Sequence, residues 1–292
     1  MPPLFNIRLR ELKPKWRLEV LSKEPSIARN APPILFVHGA WHAAWCWDEY
    51  FLDYFAANGY AAHAVSLRGH GGSEGRRGLR RHRIRDYVDD VAAVAAALPT
   101  APIVVGHSMG GFVVQKYLEK HASPSAYLLA SVPPTGAWSI FKRLIYKRQL
   151  DVLRATAALS LYPVVSNSAK AHELLFPASM PREKAAFYHS LLQDESMMSW
   201  LDCLGFDLVD VCRIASPVTV YGAADDALVR PEEVMRTAAA YRTRPFTFEH
   251  VAHDMMLDPR WRSVADAVIA RLDAMFPETM SLTSRVSPQA AA

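Results

Sequence analysis

The sequence predicts an α/β fold: a mostly parallel, twisted sheet with helices on both faces and an inserted helical cap. Two observations point there. Short, continuous apolar runs recur along the chain, at Ile34-Leu35-Phe36-Val37, Tyr60 to Leu67, Ile103-Val104-Val105, Ala126 to Ala130 and Pro217 to Tyr221. Such runs suit strands covered on both faces, and helix-like segments separate them, which is the alternation of a parallel sheet. Between residues 134 and 205 the alternation stops and only helical patterns remain.

Composition sets the frame. The chain has 292 residues, of which 51% are hydrophobic and 21% charged. That is enough apolar content for a large core. Residues 1–133 and 206–277 are expected to form the core, 134–205 the cap and 278–292 a disordered tail. The net charge of +4 is too mild to point to nucleic acid. Cys46, Cys203 and Cys212 fit neither a zinc spacing nor a disulfide framework, which favours a reducing, cytoplasmic compartment. The first residues are polar and basic and no apolar run reaches membrane-spanning length, so neither a secretory leader nor a transmembrane helix is expected.

In chain order, Leu4 to Arg10 and Trp16 to Leu21 alternate apolar and polar residues around Lys13-Pro14, as an antiparallel hairpin does. The strand at 34–37 ends in His38-Gly39-Ala40-Trp41, and a helix is expected over Trp45 to Ala57. Tyr60 to Leu67 is a buried strand running into the glycine-rich Arg68-Gly69-His70-Gly71-Gly72-Ser73. The arginine-rich stretch from Arg76 to Arg85 reads as a solvated loop, with a peripheral membrane contact as its functional alternative. A helix follows from Asp86, the expected N-cap, to Leu98. The cap has helix-like runs at Phe141–Leu153, Ala169–Leu175, Arg182–Gln193 and Met198–Leu204. The core resumes with a strand at 217–221, a helix at Pro231 to Tyr241, a strand at Pro245 to Glu249 and an amphipathic helix at Trp261 to Phe276.

The chemistry centres on Gly106-His107-Ser108-Met109-Gly110. This Gly-x-Ser-x-Gly sequence follows a β-branched run and precedes a helical one, the setting of a nucleophile elbow. Small flanking residues permit the strained turn, and the helix start leaves the Met109 N–H free for developing negative charge. Ser108 is the candidate nucleophile. It needs a base, normally a histidine oriented by a carboxylate, in the chain order Ser, acid, His.

The loop after residues 218–221 offers Asp225 and Asp226. Asp225 is preferred because it lies three residues beyond the strand-ending Gly222, and Asp226 stays open as the alternative acid. His250 and His253 compete for the base, and His253, further into its loop, is chosen. Oxyanion donors are assigned to Met109 and Ala40, with Trp41 less favoured, and Gly39 supplies turn freedom. Trp41, His42 and His107 are candidate pocket residues, although Trp41, Trp45, Trp47 and His42 read equally well as helix core. No metal or nucleotide motif stands out.

Together His38-Gly39-Ala40-Trp41, Arg68 to Ser73, Gly106 to Gly111, Gly222-x-x-Asp225 and His253 resemble the α/β-hydrolase superfamily over nearly the whole chain. Residues 38–47 are similar to the branch of methylesterases and hydroxynitrile lyases. The Arg-Gly-His-Gly-Gly-Ser stretch and long cap look more like lipase, esterase and lysophospholipase members. One departure concerns the acid loop, where Asp225 stands one residue further from Pro231 than the family's usual spacing. The resemblance implies a cofactor-free serine hydrolase acting on a carboxylic ester with an apolar part. A lyase using the same triad as a base, or a ligand-binding homologue without turnover, are the alternatives.

Overall fold

The computed structural model describes residues 16–277. Seven strands form one sheet in the order β1-β3-β2-β4-β5-β6-β7. They are β1 (Glu19–Lys23), β2 (Ile34–Val37), β3 (Ala62–Ser66), β4 (Ile103–His107), β5 (Ala126–Leu129), β6 (Val218–Ala223) and β7 (Phe246–Phe248). All neighbours are parallel except β1, which runs antiparallel to β3, with Glu19 opposite Ser66. β1 takes an edge of the sheet and pairs with β3; the Leu4 to Arg10 half of the expected hairpin lies outside the described residues, as does the 278–292 tail.

Central strands β2, β3, β4 and β5 are buried along their whole length. Each large aliphatic or aromatic side chain removed from water there contributes about 1.5–3 kcal/mol. Helices α1 (Trp45–Asp48), α2 (Phe51–Ala57), α3 (Ile84–Ala97) and α4 (Met109–Leu118) connect the first strands. The helix expected from Trp45 to Ala57 is thus broken at Glu49-Tyr50. Asp86 is not the N-cap of α3: Arg83 holds that place, and the Asp86 carboxylate accepts its backbone N–H at 2.7 Å. The basic stretch is not a plain loop, since Arg76–Arg81 forms a 3-10 helix.

Between β5 and β6 the chain is helical: α5 (Trp138–Lys147), α6 (Gln149–Ala158), α7 (Ser168–Leu175), α8 (Arg182–Leu191) and α9 (Met197–Leu201), followed by a π-helical turn at Asp202–Phe206. The run read as one helix over Phe141–Leu153 is two, divided at Arg148. After β6 come α10 (Pro231–Ala240) and α11 (Trp261–Met275). Among the described residues no helix is long and apolar enough to cross a membrane.

The turn between β4 and α4 lies against the end of β2. A Cβ on Gly110 would strike the backbone carbonyls of Val37 and His38, and one on Gly106 would come 2.6 Å from the Gly110 oxygen. Neither backbone can yield without moving the sheet. Gly110→Ala is expected to cost about 1–3 kcal/mol of stability in urea unfolding; an unchanged midpoint would show that the junction has slack.

Candidate active site

Ser108 sits between β4 and α4 with φ 52° and ψ −119°, a left-handed backbone that a residue bearing a side chain adopts only at a cost. Hydrogen bonds hold it there. Its N–H donates to Leu129 O at 3.0 Å, and its carbonyl accepts from Gly111, Phe112 and Val132 amides at 3.1–3.3 Å. The side chain is left facing His253: Ser108 Oγ lies 2.9 Å from His253 Nε2.

His253 occupies the loop after β7 and is buried. Its Nδ1 lies 2.7 Å from Asp226 Oδ2. The other Asp226 oxygen accepts the Leu228 and Val229 amides at 2.7 and 2.8 Å. The structure thus brings together Ser108, His253 and Asp226, and not the preferred Asp225. Strand β6 runs one residue further than the sequence suggests, to Ala223, so the expected offset of three lands on Asp226. Asp225 is exposed, with its backbone N–H donating to Val251 O at 3.0 Å. Burial pushes the basicity of His253 down. The Asp226 charge and hydrogen bond, helped by Asp254, outweigh that and hold it above the ordinary histidine value.

The loop after β2 passes Ser108 closely. A Cβ on Gly39 would lie 3.0 Å from Ser108 Cβ and 2.8 Å from His107 Nδ1. Gly39 is needed for this close approach and not for turn freedom, because the positive φ falls on Trp41, at 67°. Among the described residues neither the Ala40 nor the Met109 N–H donates to a protein acceptor, which leaves both available to an oxyanion. His38 braces the loop from beneath, donating from Nδ1 to Gly39 O at 2.8 Å and accepting the Leu67 N–H at 3.0 Å. Burial, followed by the neighbouring His70, keeps His38 far less basic than usual, which suits that neutral tautomer.

Of the candidate pocket residues, Trp41 lines a cavity of about 380 Å³, together with Ala40 and apolar side chains from α5, α6 and α9. His42 and His107 do not line it. His42 is buried, 2.8 Å from Ala40 O and 3.0 Å from Asp254 Oδ2. Burial would lift the Asp254 carboxyl, but His42 holds it below its ordinary range. His107 Nε2 donates to His253 O at 2.9 Å, and burial, with His253 nearby, pushes its basicity down to about 3. His107, His253 and Asp254 each offer one ligand atom within 4.8 Å of the others. A metal fits poorly there, because Ser108 and Asp226 engage both nitrogens of His253.

Sequence reasoning missed the residues that tie the helical segment to this loop. Gln193 N–H donates to Trp41 O at 2.9 Å and its side chain to His42 O at 3.1 Å. Glu195, fully buried, lies 3.1 Å from His70 and accepts Tyr87 O–H at 2.8 Å. His70 lies in the glycine-rich motif, but neither that histidine nor a lone acid in a helical stretch carries a signal of its own.

Because folding raises the His253 value above its unfolded 6.5, its stabilising contribution is full below that pH and fades as pH rises through the folded value. Asp226→Asn is therefore expected to cost more stability near about pH 5.5 than near about pH 9 in denaturant titrations. Equal losses at both would refute a charged pair.

A sequence profile described as the alpha/beta hydrolase family matches residues 34–267. A non-heme haloperoxidase of Rhodococcus erythropolis is 38% identical over 106 residues, 35% of this chain and 38% of that protein. A monoacylglycerol lipase of Mycolicibacterium smegmatis is 35% identical over 88 residues, 28% of this chain and 31% of the lipase. The matched stretches thus span less than two fifths of these relatives. A thermophilic esterase from Thermogutta terrifontis superposes with a TM-score of 0.69 at 16% identity, covering 92% of this chain and 97% of the esterase, a likeness of fold alone. On the breadth of the profile match, this chain belongs to the α/β-hydrolase family.

Proposed function

We propose that this chain is a serine hydrolase that cleaves a carboxylic ester with an apolar part. The observation that carries the reading is the continuous Ser108–His253–Asp226 hydrogen-bond chain, at 2.9 and 2.7 Å, set on a strained elbow. Ser108 Oγ attacks the ester carbonyl as His253 Nε2 takes its proton. Asp226 keeps Nδ1 protonated and stabilises the imidazolium that forms. The Ala40 and Met109 amides receive the oxyanion, a contribution of about 3–4 kcal/mol per donor in comparable sites. His253 then protonates the leaving alkoxide, and a water activated by the same nitrogen releases the acyl group.

The cavity beginning at Ala40 and Trp41 is lined almost entirely by apolar side chains. It suits an acyl or alkyl chain and offers little to a charged one. The separated cysteines, all free thiols, fit a reducing, cytoplasmic setting.

Turnover of p-nitrophenyl butyrate tests this. Ser108→Ala should abolish it, and Asp226→Asn should lower kcat by about 10⁴-fold. Asp225→Asn should leave it near wild type. Turnover surviving in Ser108→Ala overturns the reading, and a proton-abstraction reaction without acylation of Ser108 would belong to a lyase. In wild type, kcat/KM should rise with pH along a limb whose midpoint lies above 6.5, since only neutral His253 serves as base.

A further inference from the structure

Helices α5 and α6 turn apolar side chains outward. On α5 the exposed residues Trp138, Lys142, Ile145 and Tyr146 are spaced i, i+4, i+7, i+8 and so share one face. On α6, Leu150, Leu153, Arg154 and Ala157 do the same at i, i+3, i+4, i+7. Tyr146 is 84% exposed, Leu150 67% and Leu153 65%. Isolated exposed leucines are ordinary, but two adjacent helices both showing their apolar face are not.

The segment that carries this face is mostly cationic. Residues 138–160 hold five cations, Lys142, Arg143, Lys147, Arg148 and Arg154, and a single acid, Asp151. Asp151 is buried and paired with Lys170. Glu233 takes Arg143 and Glu173 takes Arg148. Among the described residues Lys142 has no ion-pair partner and is exposed, and Arg154 on α6 is 68% exposed, whereas Lys147 continues the row of the buried Ile140 and Leu144. Lys142 lies 5.7 Å from the Trp138 ring. Aromatic rings, aliphatic side chains and the exposed cations Lys142 and Arg154 on one face match the layered chemistry of an anionic bilayer surface.

The apolar cavity opens here as well. Trp138, Thr156 and Phe206 bound it and are themselves exposed. A second copy of the chain is a poor occupant, because a self-contact would bring the Lys142 and Arg154 charges of the two copies together and cover the cavity mouth.

We propose that the α5–α6 face docks on an anionic phospholipid surface and so sets the cavity mouth against the membrane. This rests on the esterase reading only for its purpose; docking itself is measured without turnover. The probe is sucrose-loaded vesicles of phosphatidylcholine, with or without about one third phosphatidylserine, assayed by co-sedimentation. Wild type should pellet with the anionic vesicles, less with the neutral ones, and less as salt rises. Tyr146→Ser/Leu150→Ser/Leu153→Ser should lose most binding, and Lys142→Glu/Arg154→Glu should lose at least about fivefold per charge. Both variants should keep the wild-type circular dichroism spectrum and p-nitrophenyl butyrate turnover. No pelleting of wild type, or undiminished pelleting of both variants, overturns the proposal. So does loss of binding only in Arg77→Glu/Arg80→Glu/Arg81→Glu, which would move the contact to the 3-10 helix. A concentration-dependent dimer in analytical ultracentrifugation, abolished by the α6 leucine changes, would assign the face to a second copy.

Discussion

The backbone of Ser108 is held in a conformation it would not choose. A left-handed φ for a residue with a side chain costs about 1–3 kcal/mol, and the surroundings must supply it. They do so from both sides. Leu129 takes the serine N–H, and three amides converge on its carbonyl. The glycines at 39, 106 and 110 let the loop after β2 and the start of α4 close around it, where any Cβ would meet other atoms. The consequence is directional: the hydroxyl emerges toward His253 and the N–H of Met109 stays unspent. The parallel sheet serves this geometry, because the ends of β2, β4, β5, β6 and β7 all deliver their loops to one edge.

Buried polar chains then fix what the sheet alone would leave loose. His253 answers to Asp226, and its carbonyl to His107. The loop after β2 is gripped by His38 from below, by His42 and Asp254 from the side, and by Gln193 from the helical segment. Glu195 reaches His70 and Tyr87, and Asp202 pairs with Arg83. A buried carboxylate left without its partner is costly, so these contacts tie the helical segment to the sheet in one arrangement. The loop carrying Ala40 is consequently held from both layers of the protein.

Much of this was legible in the residues. Unbroken apolar runs announced the parallel strands, and the spacing of Gly106, Ser108 and Gly110 announced the elbow. The choice between Asp225 and Asp226 turned on where β6 ends. Gly222 looked like a terminus, yet the strand continues through Ala223, whose small side chain conceals the boundary. The acid loop's apparent extra residue before Pro231 pointed to Asp226 all along. Helix breaks at Glu49-Tyr50 and Arg148 were invisible because no glycine or proline marks them. The outward apolar face of α5 and α6 was equally hidden, since an amphipathic pattern does not say which side meets water.

The proposed ester cleavage depends on Ser108 becoming a covalent acyl carrier. Its most direct test is titration with diethyl p-nitrophenyl phosphate followed by peptide mass mapping. One equivalent of p-nitrophenol should be released, and the diethylphosphoryl mass should lie on the peptide bearing Ser108, in native but not denatured protein. Release without modification of that peptide, or modification of another residue with Ser108 intact, would contradict it.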